Sequence, residues 1–325
     1  MTLLQASGGP VLVAGAAGFV GSHLCDRLAA RGVGVLGLDD LSTGQQAHVA
    51  HLRGRPGWRF IRHDITKPLP AELHQARCIF NLACPASPAY YQQHPVRTVL
   101  ASSVGTWRLM EVARVSGAPL LQVSTSEVYG DPLEHPQHED YWGHVNPTGP
   151  RSCYDEGKRC AEAMVYAYAH EYGVPVRVAR LFNCFGPRLC PADGRVVSNF
   201  IVQALAGRPL TVYGDGLQTR SFCYVDDTVD ALLRLMDSPV QQPVNIGNPQ
   251  ECTVLDLAQL VLRLTASHSG IEYRAALRDD PVRRCPDIGR ARRLLGWQPQ
   301  VGLEDGLQRT IAYFRSTLAT TETPA

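Results

Sequence analysis

Short apolar runs recur along the first half of the chain with helix-length stretches between them: Val11 to Ala14, Val35 to Leu38, Phe60 to Ile61, Cys78 to Leu82, Leu120 to Ser124 and Val176 to Leu181. That alternation predicts an α/β chain with a doubly wound parallel sheet. One helix is expected to open after Gly18 and close at Arg31-Gly32, and another to run through Lys158 to Met164 and stop at Gly173, both ending on glycine as helices often do. After Phe182 the pattern gives way to a Gly- and Pro-rich stretch with Gly186-Pro187-Arg188 and Asp193-Gly194-Arg195, which suits a binding loop. Pro243 to Gly247 reads as a late strand and Leu255 to Leu264 has helical periodicity. Residues 1–182 are therefore expected to form the first domain, with the chain returning to it around 222–249, and 183–325 to form mainly a smaller C-terminal α/β domain.

The length of 325 residues leaves room for two sites in two units. Lys plus Arg number 31 against 30 for Asp plus Glu, so no global field gathers nucleic acid or an anionic membrane, and any anion must be bound locally. Ten cysteines form no CxxC pair; in a chain of this size they read as small buried thiols of a reducing compartment. No apolar stretch reaches spanning length, and the first strand begins too early to leave room for a cleavable signal. A cytoplasmic protein is the expectation.

Gly15-Ala16-Ala17-Gly18-Phe19-Val20-Gly21 follows an apolar strand and opens a helix. Its glycines permit a tight turn, approach of the backbone to a pyrophosphate and close helix packing, with the helix N-terminus facing the phosphates. Placement after the first strand is what raises a common glycine pattern to a dinucleotide site. The second strand ends at Asp39-Asp40, where a carboxylate hydrogen-bonds the adenosine ribose and repels a 2′-phosphate, favouring NAD over NADP; one of the two aspartates is free to cap the turn instead. His63-Asp64-Ile65 either flanks the adenine or is an exposed turn.

Tyr154-Asp155-Glu156-Gly157-Lys158 sets a phenol and an ammonium four residues apart, on one helix face. Lys158 and a positively charged nicotinamide are expected to lower the tyrosine pKa from its reference of about 10, so that the phenolate takes a proton from an alcohol as hydride leaves carbon. The same spacing also occurs on ordinary exposed helices. Upstream, Ser124-Thr125-Ser126-Glu127 ends a strand at the carboxyl edge of the sheet, where doubly wound folds keep their sites. Thr125 or Ser126 would share a hydrogen bond with substrate and Tyr154, and Glu127 would serve as base or orienting acceptor; polar strand-end capping is the plain alternative.

These residues resemble the extended short-chain dehydrogenase/reductase family and, within it, the UDP-glucuronic acid decarboxylases, or UDP-xylose synthases. The likeness runs through Gly15 to Gly21, Pro85 to Pro88, Thr125 to Pro132, Asp140-Tyr141-Trp142-Gly143-His144-Val145-Asn146-Pro147, Cys153 to Arg159, Arg180 to Asn183, Gly194 to Phe200 and Gln218-Thr219-Arg220. The glycine-rich and YxxxK elements mark the superfamily; the Trp142 and Arg195 to Phe200 segments look like the decarboxylase subgroup. The resemblance implies a Rossmann-type sheet with a C-terminal substrate domain, NAD as cofactor, UDP-glucuronic acid and UDP-xylose as substrate and product, and a homodimer packed through Rossmann helices, for which Ala161, Met164, Val165 and Tyr168 offer either a surface or internal core. It implies Thr125, Ser126, Glu127, Tyr154, Lys158 and Arg220 as the catalytic group. Around the cofactor it implies Gly15, Gly18, Phe19, Val20, Gly21, Asp39, Asp40, Asp64, Ile65, Leu82, Ala83, Tyr154 and Lys158, and around the substrate Pro85, Tyr91, Arg97, Asn183, Arg188, Asn199, Tyr213, Arg220 and Arg283. Planar guanidiniums suit the diphosphate and carboxylate of such a substrate.

The chain departs from the family pattern at Arg97, where lysine is common, at Ser102, where asparagine is common, at Cys84, a serine in some members, and at Ala16-Ala17. The implied chemistry is oxidation at C4, loss of carbon dioxide from the resulting β-keto acid, protonation at C5 and return of hydride. A nucleotide-sugar 4-epimerase or 4,6-dehydratase also starts at C4. Ser126 in place of a dehydratase's aspartate favours decarboxylation, although GDP-mannose dehydratases can carry Thr-Ser-Glu there. A non-catalytic NAD-binding regulator is the reading from another class, opposed by intact Tyr154 and Lys158. No metal is expected, since His135, His138 and His144 lie in a loop without paired ligand motifs.

Overall fold

The computed structural model describes residues 3–5, 8–276 and 283–321. Strands that are apolar at consecutive positions must be covered on both faces, and parallel strands joined by helices satisfy this. Val11–Ala14, Val35–Asp39, Cys78–Asn81 and Leu120–Thr125 are buried at every position. Among the described residues they join Trp58–Arg62, Val176–Leu181 and Pro243–Ile246 in a seven-stranded sheet. Its order is Pro243–Ile246, Val176–Leu181, Leu120–Thr125, Cys78–Asn81, Val11–Ala14, Val35–Asp39, Trp58–Arg62, and every pairing is parallel. From Val11–Ala14 the next two strands in sequence step outward on one side, and Cys78–Asn81 then starts the other side. This reversal opens a crevice at the carboxyl ends of the strands, where such sheets bind ligands.

The helices follow the expected stops. Phe19–Ala30 ends beside Arg31, and Ser152–Tyr172 ends on Gly173, whose φ of 67° carries the chain out of the helix. In the latter helix Cys153, Tyr154, Gly157, Lys158, Ala161 and Val165 are buried; the helical repeat thus turns Tyr154 and Lys158 inward together. Against it lies a continuous helical stretch, Pro95–Leu100 and Thr106–Ser116, interrupted by a π-helical turn at Ala101–Gly105, a wide turn found mostly at functional sites.

The segments after Phe182 add small sheets. Leu210–Tyr213 pairs with Ile271–Arg274, and Thr219–Ser221 lies between Glu251–Thr253 and Arg283–Arg284. The helix Val254–Thr265 begins with a reciprocal cap between Thr253 and Asp256, worth about 1 kcal/mol. No helix among the described residues is long and apolar enough to cross a membrane.

Candidate active site

The turn after Val11–Ala14 is built for close approach. Gly15 takes φ 83°, and a Cβ on Gly21 would collide with the Gly15 carbonyl oxygen. No side chain caps the helix that starts at Phe19, so its first N–H groups are left to a ligand in the crevice. Asp39 secures this turn from below: its carboxylate accepts from Ala17 N–H at 2.9 Å and from Leu41 N–H at 2.8 Å. Burial pushes that carboxyl up, against the pull of those backbone donors. Asp40 accepts from Ser42 N–H and from Arg97 at 2.7 Å; burial alone would raise its carboxyl, but these donors hold it below the usual range. Arg97, expected at the substrate, is therefore tied to the aspartate pair that ends the second strand. Asp64 accepts from Thr66 N–H and hydroxyl, both at 2.8 Å, which makes its segment an ordered turn. A glycine cradle, free helix N–H groups and a rim carboxylate fit a dinucleotide.

Across the crevice, Tyr154 lies parallel to Tyr91, with ring centroids 5.2 Å apart and planes within 3°. Burial raises the Tyr154 hydroxyl well above the ordinary tyrosine value, while a hydrogen bond with Thr125 works to lower it. Thr125 Oγ1 accepts from Glu127 N–H at 3.2 Å, so the Thr125 proton remains available to the tyrosine oxygen. Lys158 Nζ donates to the Val123 carbonyl at 2.9 Å and sits 5.8 Å from the Tyr154 ring. At this hydroxyl burial, with the Cys84 and Glu127 charges adding to it, outweighs the Thr125 hydrogen bond. Cys84 Sγ lies 3.1 Å from Ser102 Oγ. Two departures from the family pattern therefore touch each other, and Ser102, on the π-helical turn, has the thiol as its partner.

The strongest charges of the site surround Glu127. Its carboxylate is buried, with Arg151 at 2.6 Å and Arg284 at 2.8 Å. Burial would push the carboxyl up; Arg284 and Arg151, with Arg220 adding to them, hold it below the usual range. Asp155, also buried, responds in the opposite direction: burial and the Glu127 charge raise it to about 8.

A single cavity of about 580 Å³ joins these groups, and every expected site residue except Arg283 lines it. Arg283 is exposed. Neighbouring strand residues face opposite ways, and Arg284, paired in register with Arg220, is the one turned inward. Arg188, in the left-handed region at φ 66°, pairs with Asp26 at 2.7 Å. Asn199 donates to the Gly194 carbonyl, and Gln218 to that of Tyr213. Ser87 ties the Pro85 loop to the Asp193 carbonyl at 2.6 Å, closing the loops over the cavity. Sequence reasoning missed Arg151, Arg284 and Arg195, which stands over the Phe19 ring. Arg151 had a signal, since it precedes Tyr154 by three residues on the same helical path. Ala161 and Val165 are fully buried within the chain and so are core, while Met164 and Tyr168 are half-buried; on the helical stretch packed against them Val96, Val99, Leu100 and Trp107 are exposed.

A doubly wound sheet, a glycine cradle and a Tyr-Lys pair at its carboxyl edge define a nicotinamide-dependent short-chain dehydrogenase/reductase class. Residues 11–247 match the NAD dependent epimerase/dehydratase family, and the chain belongs to it, with NAD as its cofactor. It is 54% identical over 308 residues to UDP-glucuronic acid decarboxylase 1 of Danio rerio, covering 95% of this chain and 73% of that one. It is 51% identical over 312 residues to UDP-glucuronic acid decarboxylase 2 of Arabidopsis thaliana, covering 96% and 69%. The fold superposes on UDP-glucose 4-epimerase from Thermotoga maritima with a TM-score of 0.88 at 31% identity, over 95% of this chain and 99% of that one. For UDP-glucuronic acid 4-epimerase from Bacillus cereus, solved with UDP-glucuronic acid and NAD, the TM-score is 0.85 at 27% identity, over 95% and 99%.

Proposed function

We propose that the protein converts UDP-glucuronic acid to UDP-xylose as a carboxy-lyase with catalytic NAD. The observation that carries this reading is the buried Glu127–arginine cluster beside Tyr154, in a chain about half identical to the UDP-glucuronic acid decarboxylases. In this reading the seven-stranded sheet holds the cofactor and the segments after Phe182 mainly hold the nucleotide sugar.

NAD, when bound, supplies the acceptor and later the donor of a hydride at C4. The chain's work begins with the C4 hydroxyl, whose proton passes to ionised Tyr154, with Thr125 donating to the same oxygen. A C4 carbonyl places the carboxylate β to it; the C5–C6 bond breaks, carbon dioxide leaves and the electron pair remains as an enolate. The hydroxyls of Tyr154 and Thr125 are fixed donors for that charge, needing no reorganisation as it develops. Arg220 and Arg284 are cations of the right shape for the departing carboxylate. Glu127, held ionised, is an acceptor rather than an acid; with Arg284 it orients the water through which a solvent proton reaches C5.

Purified protein is incubated with UDP-glucuronic acid and NAD⁺, and the sugar nucleotide is followed by mass spectrometry and proton NMR. UDP-xylose is expected. The C4 epimer with its carboxylate kept would replace this reading with an epimerase, and a ketopentose with NADH would remove only the final reduction. We further propose a cytoplasmic homodimer in which a second copy covers Val96, Val99, Leu100 and Trp107; light scattering at the monomer mass would refute the dimer.

A further inference from the structure

Outside the cavity, three side chains from three distant segments meet: His135 from the loop after the Ser126–Tyr129 turn, Glu251 at the start of Glu251–Thr253, and Cys285 directly after Arg283–Arg284. We propose that they form a zinc site, with water completing the coordination. It braces the strands that carry Arg220 and Arg284, so the functional part of the proposal rests on the role given above to those arginines.

The ligand chemistry is the first support. Imidazole, carboxylate and thiolate are each ligands that zinc accepts, three protein ligands with a fourth position open to solvent is an arrangement it adopts, and the thiolate disfavours magnesium and calcium. Geometry is the second. The His135, Glu251 and Cys285 ligand atoms all lie within 4.8 Å of one another, and His135 Nε2 is 2.9 Å from Glu251 Oε2. Zinc bond lengths in a tetrahedron put ligand atoms roughly 3.3–3.8 Å apart. The pair must therefore open by about half an ångström and the third atom close by at most about one, shifts on the scale of a side-chain torsion. His135 and Glu251 are partly open to solvent, with side-chain exposures of 31% and 26%, so an ion has a way in; Cys285 is buried beneath them. Binding releases the thiol proton to solvent.

The third support is that the backbone around the ligands is already held. Gln137 N–H donates to the Cys285 carbonyl, and Cys285 N–H donates to Gln137 Oε1, both at 2.9 Å. This joins the His135 loop to the Cys285 segment. Thr219 donates to Glu251 Oε1 at 2.6 Å, an outer-shell bond that leaves Oε2 to a metal. Thr219 immediately precedes Arg220, and Cys285 immediately follows Arg284. The same three-stranded sheet thus carries metal ligands at its outer end and catalytic-site guanidiniums on its inner face.

The test uses the full chain after chelator treatment and buffer exchange, with Co²⁺ as an optical probe and Zn²⁺ as competitor. One equivalent of Co²⁺ should give a thiolate-to-cobalt charge-transfer band that Zn²⁺ removes. Cys285→Ser should abolish the band, and His135→Gln should weaken binding at least tenfold. Thr219→Val should weaken it by roughly 10–100-fold. Cys160→Ser, at the exposed cysteine, should leave binding unchanged. Zn²⁺ should raise the Tm of wild type but not of Cys285→Ser. A band that survives Cys285→Ser, or no stoichiometric binding, overturns the site. These readouts do not involve turnover; a failed decarboxylase assay leaves them standing, and their failure leaves the proposed reaction standing.

Discussion

The two ends of the cavity are made in different ways. At the cofactor end, contacts come mainly from backbone: Gly15 to Gly21 form one turn, and Asp39 accepts from the N–H groups of Ala17 and Leu41. At the other end, Glu127, Arg151, Tyr154, Arg220 and Arg284 come from four separate segments and meet through their side chains, with the charges gathered around Glu127. A dinucleotide phosphate needs N–H groups and space, which a local turn provides. A carboxylate that must be held, released as carbon dioxide and replaced by a proton needs several opposed charges in one dry place, and only a folded chain assembles those.

The contrast predicts that the catalytic end fails in chemistry and the cofactor end in binding. Tyr154→Phe should lower turnover by about 10²–10⁴-fold while NAD affinity, followed by tryptophan fluorescence, stays within a factor of two; unchanged turnover would remove Tyr154 as the proton acceptor. Arg284→Ala leaves Glu127 buried with one guanidinium fewer, a loss of about 3–5 kcal/mol when a buried pair is broken. Urea unfolding should show that cost, and turnover should fall with it. Gly21→Ala should act at the other end, weakening NAD by roughly 10–100-fold through about 1–3 kcal/mol of overpacking. Its turnover at saturating NAD should be closer to wild type than that of Arg284→Ala; the reverse order would break the contrast.

A smaller effect distinguishes the two buried carboxyls beside Tyr154. Asp155 is raised to about 8 by burial and by Glu127, above its unfolded value of about 3.9. The fold therefore favours its protonated form, a stability contribution that is full below the unfolded pKa and lost as pH rises through the folded value. Asp155→Asn removes that loss, so its Tm should gain on wild type between about pH 4 and pH 8; a gap that stays constant over this range would show that Asp155 is ionised throughout. Glu127, depressed by its arginines, contributes in the opposite sense, fading only as pH falls below the usual carboxylate range. The smallest effect belongs to Arg283→Ala, expected within about 0.5 kcal/mol of wild type in stability and within a factor of two in turnover, against the large loss at its neighbour.

What the sequence determined by itself is what short-range order can encode. The apolar runs became the sheet strands because consecutive burial needs consecutive apolar residues. The glycine turn and the tyrosine–lysine pair needed only one turn and one helix face to be legible. The tertiary structure decided the rest. Arg284 could not be told from Arg283 until pairing with Thr219–Ser221 showed which one faces inward. Ala161 and Val165 could not be assigned to core or surface until the helix had neighbours. Cys84 and Ser102 looked like two separate departures until the π-helical turn set them 3.1 Å apart. Burial raises the Tyr154 hydroxyl, which one turn of helix does not reveal, because desolvation acts through every surrounding atom while sequence spacing records only one neighbour.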